Sequence, residues 1–177
     1  MSDVVISLVE KNELNPLKDV AIQAYMDHYT HLWKDGGKSY IQSSFSIQAF
    51  EKYFETKTLK KLYKINVNNS LSGFLTIGLG YDENLDSSPF MMELERIYFI
   101  KESTGKGIGS RVIQFLHSIA DQNDIHTIWL KAMKKSPAVP FYQKHGWKIT
   151  GATHLDHPQV IASESQMYIM TKALPIE

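Results

Sequence analysis

The residues best suited to chemistry lie between Glu93 and Arg111, in the run E-L-E-R-I-Y-F-I-K-E-S-T-G-K-G-I-G-S-R. Gly105, Gly107 and Gly109 alternate with Lys106 and Ile108, and a helical period begins directly after them with Val112, Ile113, Phe115, Leu116 and Ile119. Glycine at every second position lets a backbone come close to a ligand, and the free N–H groups of a new helix, at the positive end of its dipole, suit phosphate oxygens. Lys106, Ser110 and Arg111 add charge and a hydroxyl to the same cradle. Upstream, Glu93 and Glu95 share one face of an undistorted strand, and a bulge would change which of them faces a cleft.

The elements that position these groups are a strand, a loop and a helix. Leu94, Ile97, Tyr98, Phe99 and Ile100 give the aromatic and β-branched composition of a half-buried strand. The loop is not a Walker phosphate loop, since Gly37-Lys38-Ser39 has Leu32 where the first glycine belongs. Nor is it a dinucleotide fingerprint, because its spacing is G-x-G-x-G and no acidic residue stands in the ribose role.

The loop resembles motif A of the GNAT N-acetyltransferases, [RQ]-x-x-G-x-[GA] after a strand, with Gly107 and Gly109 at the small positions and Thr104 in place of Gln or Arg. A second block, Ala138-V-P-Phe141-Tyr142-Q-Lys144-His145-Gly146-Trp147, is similar to that family's A-x-x-F-Y-x-K-x-G-F signature, with Trp147 for Phe and Lys135 for the Asn seven residues before the Tyr. The two motifs stand in the family's order, which makes the match more specific than either alone.

The resemblance implies a mixed central sheet splayed at an acetyl-CoA site, with helices on both faces. It implies transfer of acetyl from acetyl-CoA to a primary amine by direct attack. Tyr142 takes the role of general acid toward the sulfur, and Glu93, or Glu95 beside it, that of base. Ile97, Tyr98 and Phe99 take the positions that pair with the pantetheine arm. Thr104, Gly105, Lys106, Gly107, Ile108, Gly109, Ser110, Lys135 and Lys144 fall at or beside the coenzyme-binding positions. Within the family the chain most resembles bacterial polyamine acetyltransferases acting on spermidine and spermine, through E-L-E-R-I-Y, F-Y-Q-K-H-G-W and a tail holding His154, Gln166 and Tyr168. For that acceptor Asp27, Asp35, Glu83, Asp86, Tyr29 and Trp33 are candidates by composition. Acetylation of a protein N-terminus or another small amine, and a non-catalytic acyl-CoA sensor, are the alternatives; Thr104 and Lys135 permit the last. The family often forms homodimers.

Composition sets the remaining bounds. The 177 residues suffice for one domain, taken as residues 1–177, and 43% apolar with 21% charged residues is ordinary for a soluble protein. Nineteen basic and nineteen acidic residues balance, which argues against a nucleic-acid or membrane-surface binder. There is no cysteine, so disulfides and a thiol nucleophile are excluded. The N-terminus lacks a basic leader, and the expected location is the cytoplasm. His28 with His31 and His154 with His157 lack a third converging ligand, so no metal is expected.

The rest of the chain reads in order. Val4 to Val9 is a strand, and Asn15-Pro16 caps and opens a helix. The aromatic-rich stretch Tyr25 to Phe54 breaks at Asp35-Gly36-Gly37, and Ser46 caps a helix through about Glu55. Lys61 to Val67, Asn68-Asn69 and Leu71 to Leu79 form a hairpin, followed by a polar connection to Pro89. After the central helix, which ends near Asn123, come a strand at His126 to Met133, a short helix from Pro137 to Lys144, and strands at Trp147 to Thr150 and Gln166 to Thr171.

Overall fold

The computed structural model describes residues 3–55, 59–80 and 90–175. Its seven strands form one sheet in the order β1-β2-β3-β4-β5-β7-β6: β1 Val4–Leu8, β2 Lys60–Val67, β3 Ser70–Leu79, β4 Met91–Phe99, β5 Thr127–Met133, β6 Lys148–His154 and β7 Gln166–Ala173. All neighbours are antiparallel except β4 and β5. The β2–β3 hairpin closes through Asn68 and Asn69, both at positive φ (50° and 65°), the conformation that Asn tolerates and a two-residue hairpin turn requires.

The helices divide between the two faces. α1 (Leu14–Tyr29), α2 (Lys38–Ser44) and α3 (Ile47–Glu51) cover one, over a core of Leu17, Ala21, Tyr25, Phe45, Phe50 and Phe74. α4 (Ile108–Gln122) and α5 (Ala138–Lys144) join the other, over Leu75, Ile77, Met92, Leu94, Ile128 and Leu130. α4 presents Ile108, Val112, Ile113, Leu116 and Ala120 inward, the apolar stripe of a 3.6-residue period.

Local chemistry explains the ends. α1 starts at Leu14, two positions before the expected first helical residue Pro16, directly after a 3₁₀ turn in which Glu10 and Glu13 form a reciprocal capping box. Ser46 caps α3 as anticipated, its Oγ accepting from Ala49 N at 3.1 Å. α2 was not anticipated. It is started by Asp35, whose carboxylate accepts from Gly37 N and Ser39 N, both at 2.9 Å.

Two irregularities shape the site. In β3, Thr76 pairs with Arg96 and the next residue, Ile77, with Leu94, so Glu95 is the extra residue of a bulge in β4. A bulge bends its strand and re-aims its side chains. The other is a split: β4 and β5 pair only from Met91↔Thr127 to Leu94↔Leu130 and then diverge. Beyond that point Ile97, Tyr98 and Phe99 pair with β3 alone, and Lys131 to Met133 with β7 alone.

Over this split, Leu32 to Lys34 meets residues 159–161. Lys34 N donates to Gln159 O and Ile161 N to Leu32 O, both at 2.8 Å, with a β-bridge between Trp33 and Val160. The two connections form a roof.

Candidate active site

The split opens into a groove of about 490 Å³. One wall is the backbone of Ile97 to Phe99, whose unpaired N–H and C=O groups on the β5 side are an interior sheet edge. Its end is the glycine loop and the start of α4: Thr104, Gly105, Gly107, Ile108, Gly109 and Ser110. Gly105 and Gly107 have φ of +76° and +75°, the left-handed conformation that costs a side-chain-bearing residue about 1 kcal/mol. Gly109 is small for another reason: a Cβ there would lie 2.6 Å from Cζ of Phe141. The second sequence block thus packs directly on the first.

The first intrahelical bond of α4 is Arg111 N to Gly107 O, at 3.2 Å. The N–H groups of Ile108, Gly109 and Ser110 therefore precede the helical ladder and are presented at the positive end of a 15-residue helix. His145 lies beside them, its Nε2 3.4 Å from Ser110 Oγ and its Nδ1 2.9 Å from Phe141 O. These groups suit a pyrophosphate, and the open edge of β4 suits an amide-bearing arm lying along it as a further strand.

A second cavity of about 270 Å³ adjoins the first on the α1 side of the sheet. Tyr29, Leu32, Ile97, Tyr98, Met133, Ser136, Ala138 and Tyr142 line both, so the two spaces meet through the split. Glu93, Glu95, Arg96 and Lys131 supply the charged lining of the second cavity, and Tyr25, Tyr29, Tyr40 and Tyr98 its aromatic wall. The rings of Tyr25 and Tyr29, of Tyr25 and Tyr40, and of Tyr29 and Tyr98 stand 5.0 to 5.2 Å apart.

Tyr142 stands at the junction, 7% exposed, its ring against Phe141 and Trp147 at 5.4 and 5.3 Å. Burial pushes its phenol well above the ordinary tyrosine range, with a smaller contribution from Tyr29 nearby. Tyr29 and Tyr98 are raised for the same first reason. The Tyr142 hydroxyl takes no hydrogen bond from any described residue. Tyr142 lines both cavities, so a ligand can meet its hydroxyl there.

The carboxylates differ in their partners. Glu95 is anchored on both oxygens, to Lys60 Nζ through Oε1 and to the Tyr53 hydroxyl at 3.3 Å through Oε2. Glu93 Oε1 lies 4.0 Å from Lys131 Nζ.

Of the coenzyme-side residues anticipated, Ile97, Tyr98, Phe99, Thr104, Gly105, Gly107, Ile108, Gly109, Ser110 and Lys135 line the groove. Lys106 and Lys144 are exposed and outside its lining. Thr104 turns its hydroxyl back onto Lys101 O at 2.7 Å, and Lys135 pairs with Glu164 at 2.7 Å. Among the acceptor-side candidates, Tyr29 lines both cavities and Trp33 is buried, donating to Tyr25 Oη at 2.9 Å. Asp27 accepts from Lys101 N and Asp35 caps α2, so both carboxylates have structural partners. Glu83 and Asp86 lie outside the described residues. Sequence reasoning missed Arg96, Ser136, Tyr40 and Glu164 as lining residues; for Tyr40 the aromatic density of residues 25–54 was the available signal.

A helix start with free N–H groups, a sheet edge left open beside it and a buried tyrosine where the two cavities meet form an arrangement suited to a coenzyme-A-dependent acyltransferase. The chain belongs to the Acetyltransferase (GNAT) family, whose model matches residues 22–147, more than half of the sequence.

Solved structures agree on the fold. A PaiA N-acetyltransferase from Thermoplasma acidophilum, in complex with coenzyme A, is similar at 20% identity and a TM-score of 0.76 over 97% of this chain and 99% of its own. A ribosomal-protein-alanine N-acetyltransferase from Brucella melitensis is similar at 14% identity and a TM-score of 0.68, over 96% and 99%. An aminoglycoside acetyltransferase in complex with coenzyme A is similar at 14% and 0.65, over 97% and 95%.

The protein is thus an N-acetyltransferase that uses acetyl-CoA as co-substrate. Among the described residues no group of His, Asp and Glu could hold a metal ion, and no helix is long and apolar enough to cross a membrane.

Proposed function

We propose that the chain acetylates the primary amine of a small molecule bound in the second cavity, with acetyl-CoA in the groove. Ile97 to Phe99 hold the pantetheine arm, and the Gly105 to Ser110 loop holds the pyrophosphate. The observation that carries this reading is the position of Tyr142, buried, facing both cavities and uncommitted.

Acetyl-CoA supplies an activated acyl group. The protein's own task begins with the amine, which at neutral pH is protonated: freeing its lone pair from a pKa near ~10.4 costs about 5 kcal/mol. Glu93 accepts that proton. It ranks ahead of Glu95, whose two oxygens already serve Lys60 and Tyr53. The tyrosine wall lowers the cost by desolvating the ammonium and orients the nitrogen toward the groove.

As the carbon–sulfur bond breaks, Tyr142 donates its hydrogen bond and then its proton to the sulfur. Thiols titrate near ~8.5 and phenols near ~10, so complete transfer to a free thiolate in water would be uphill. In this cavity the burial that raises the phenol raises the thiol as well. From ammonium to amide the nitrogen gives up two protons: one leaves through Glu93 to solvent, and the other replaces the proton that Tyr142 gives to the thiol.

A polyamine such as spermidine or spermine is the first acceptor to test, since Glu93, Glu95 and the tyrosine faces are groups that receive ammonium ions. The experiment is thiol release from acetyl-CoA across polyamines, small diamines, amino acids, aminoglycosides and N-terminal peptides. Saturable, amine-dependent release supports the reading. Tight acetyl-CoA binding without release on any amine would refute it in favour of an acyl-CoA sensor.

A further inference from the structure

Arg96 is the lining group that an all-amine acceptor does not use. Its Nη1 donates to Ser44 O at 3.1 Å and its Nη2 to the Tyr53 hydroxyl at 2.9 Å. The rings of Phe45, Phe50, Tyr53 and Phe74 stand 5.5 to 5.7 Å from its guanidinium carbon. A guanidinium has five N–H donors, and these contacts use two of them. Among the described residues no carboxylate lies within ion-pairing distance of it. Its two carboxylate neighbours in sequence answer other cations, Glu95 to Lys60 and Glu93 to Lys131. A half-buried guanidinium with free donors and no counter-ion within reach is suited to receive a ligand anion.

The charge of the cavity points the same way. Its ionic lining is Glu93 and Glu95 against Arg96 and Lys131, a balanced set in an aromatic wall. A polycation would bring excess positive charge into this space and compete with Lys60 and Lys131 for the same carboxylates. A zwitterion adds none.

We propose that Arg96 receives an anionic group of the acceptor, so that the molecule acetylated carries a carboxylate as well as a primary amine. This rests on the acetyl-transfer reading and replaces a plain polyamine with an amino acid as the favoured acceptor. The amine lies between Glu93 and Tyr142, and the carboxylate at Arg96. Three residues along a strand span roughly 10 Å at ~3.3 Å each, shortened here by the bulge at Glu95. An amine and a carboxylate separated by several methylene groups fit that span better than an α-amino group does, which selects ω-amino acids or the side-chain amine of a diamino acid.

The test is thiol release with wild-type protein on ω-amino acids from glycine to aminohexanoate, each beside its carboxamide, with spermidine alongside. The expected result is a kcat/KM for the longer acids roughly tenfold or more above their amides, since a site that hydrogen-bonds a substrate group rejects the analogue lacking it. In Arg96→Gln, checked for folding by acetyl-CoA binding, that ratio falls to near one. Should the variant not fold, competitive inhibition of the wild type by valerate but not by valeramide decides the same point. Acids no better than amides, valeramide inhibiting as well as valerate, or spermidine ahead of both would overturn the carboxylate site and leave acetyl transfer intact. No release on any amine would remove the transfer reading instead.

Discussion

Replacing Tyr142 by Phe removes one oxygen and keeps the ring between Phe141 and Trp147. Because that hydroxyl takes no hydrogen bond from a described residue, its loss orphans no partner, and the stability change should stay within about 0.5 kcal/mol. The coenzyme groove is otherwise unchanged, so acetyl-CoA affinity should stay within roughly twofold of wild type. Turnover should not: a positioned proton donor contributes about 10²–10⁴-fold. The assay is thiol release at saturating acetyl-CoA, paired with calorimetric binding of acetyl-CoA. The phenol is raised above its ordinary value, so it stays protonated past pH ~10, and the wild-type pH profile should show no falling limb from Tyr142 below that pH. Turnover in the variant within twofold of wild type would refute the assignment.

Three further outcomes follow from the same geometry. Glu93→Gln should lower kcat roughly 10²-fold, whereas Glu95→Gln should mainly lower the melting temperature by loosening Lys60 and Tyr53; equal kinetic effects would undo the ranking. Gly107→Ala meets open space and should cost about 1 kcal/mol of backbone strain, read by denaturant unfolding, while Gly109→Ala drives a Cβ into Phe141 and should cost about 1–3 kcal/mol and weaken coenzyme binding. His117 is held below its ordinary value by burial first and by Lys172 second, so it folds neutral; as pH falls below about 6.5 the unfolded chain gains the proton first and stability drops. His117→Phe should flatten that acid loss in thermal melts.

What the sequence revealed was what repeats locally. Apolar and β-branched runs located the described strands, and the 3.6-residue period the long helix α4, to within a few residues, because each signal lies within its own segment. The Asn68-Asn69 turn and the Ser46 cap were legible because single side chains make them. α2 was hidden, since its start depends on Asp35 folding back across two glycines. The glycine loop was legible as a cradle, but Gly109 proved to be small because of Phe141, thirty-two residues away in sequence. Arg96 reads as an ordinary alternating residue in the sequence. Only the bulge at Glu95 and the aromatic residues folding over from α2 and α3 make it a cavity residue.

The parting of β4 and β5 leaves a ladder that the polypeptide starts and does not finish. Whatever lies along Ile97 to Phe99 therefore completes a secondary-structure element as well as meeting a catalyst. Such a ligand binds the native state and not the unfolded chain, so it adds stability as RT ln(1 + [L]/Kd), about 2.7 kcal/mol at a hundredfold excess over Kd. On the placement proposed above the coenzyme is a removable eighth strand, and the melting temperature of this protein should then rise with the acyl-CoA around it.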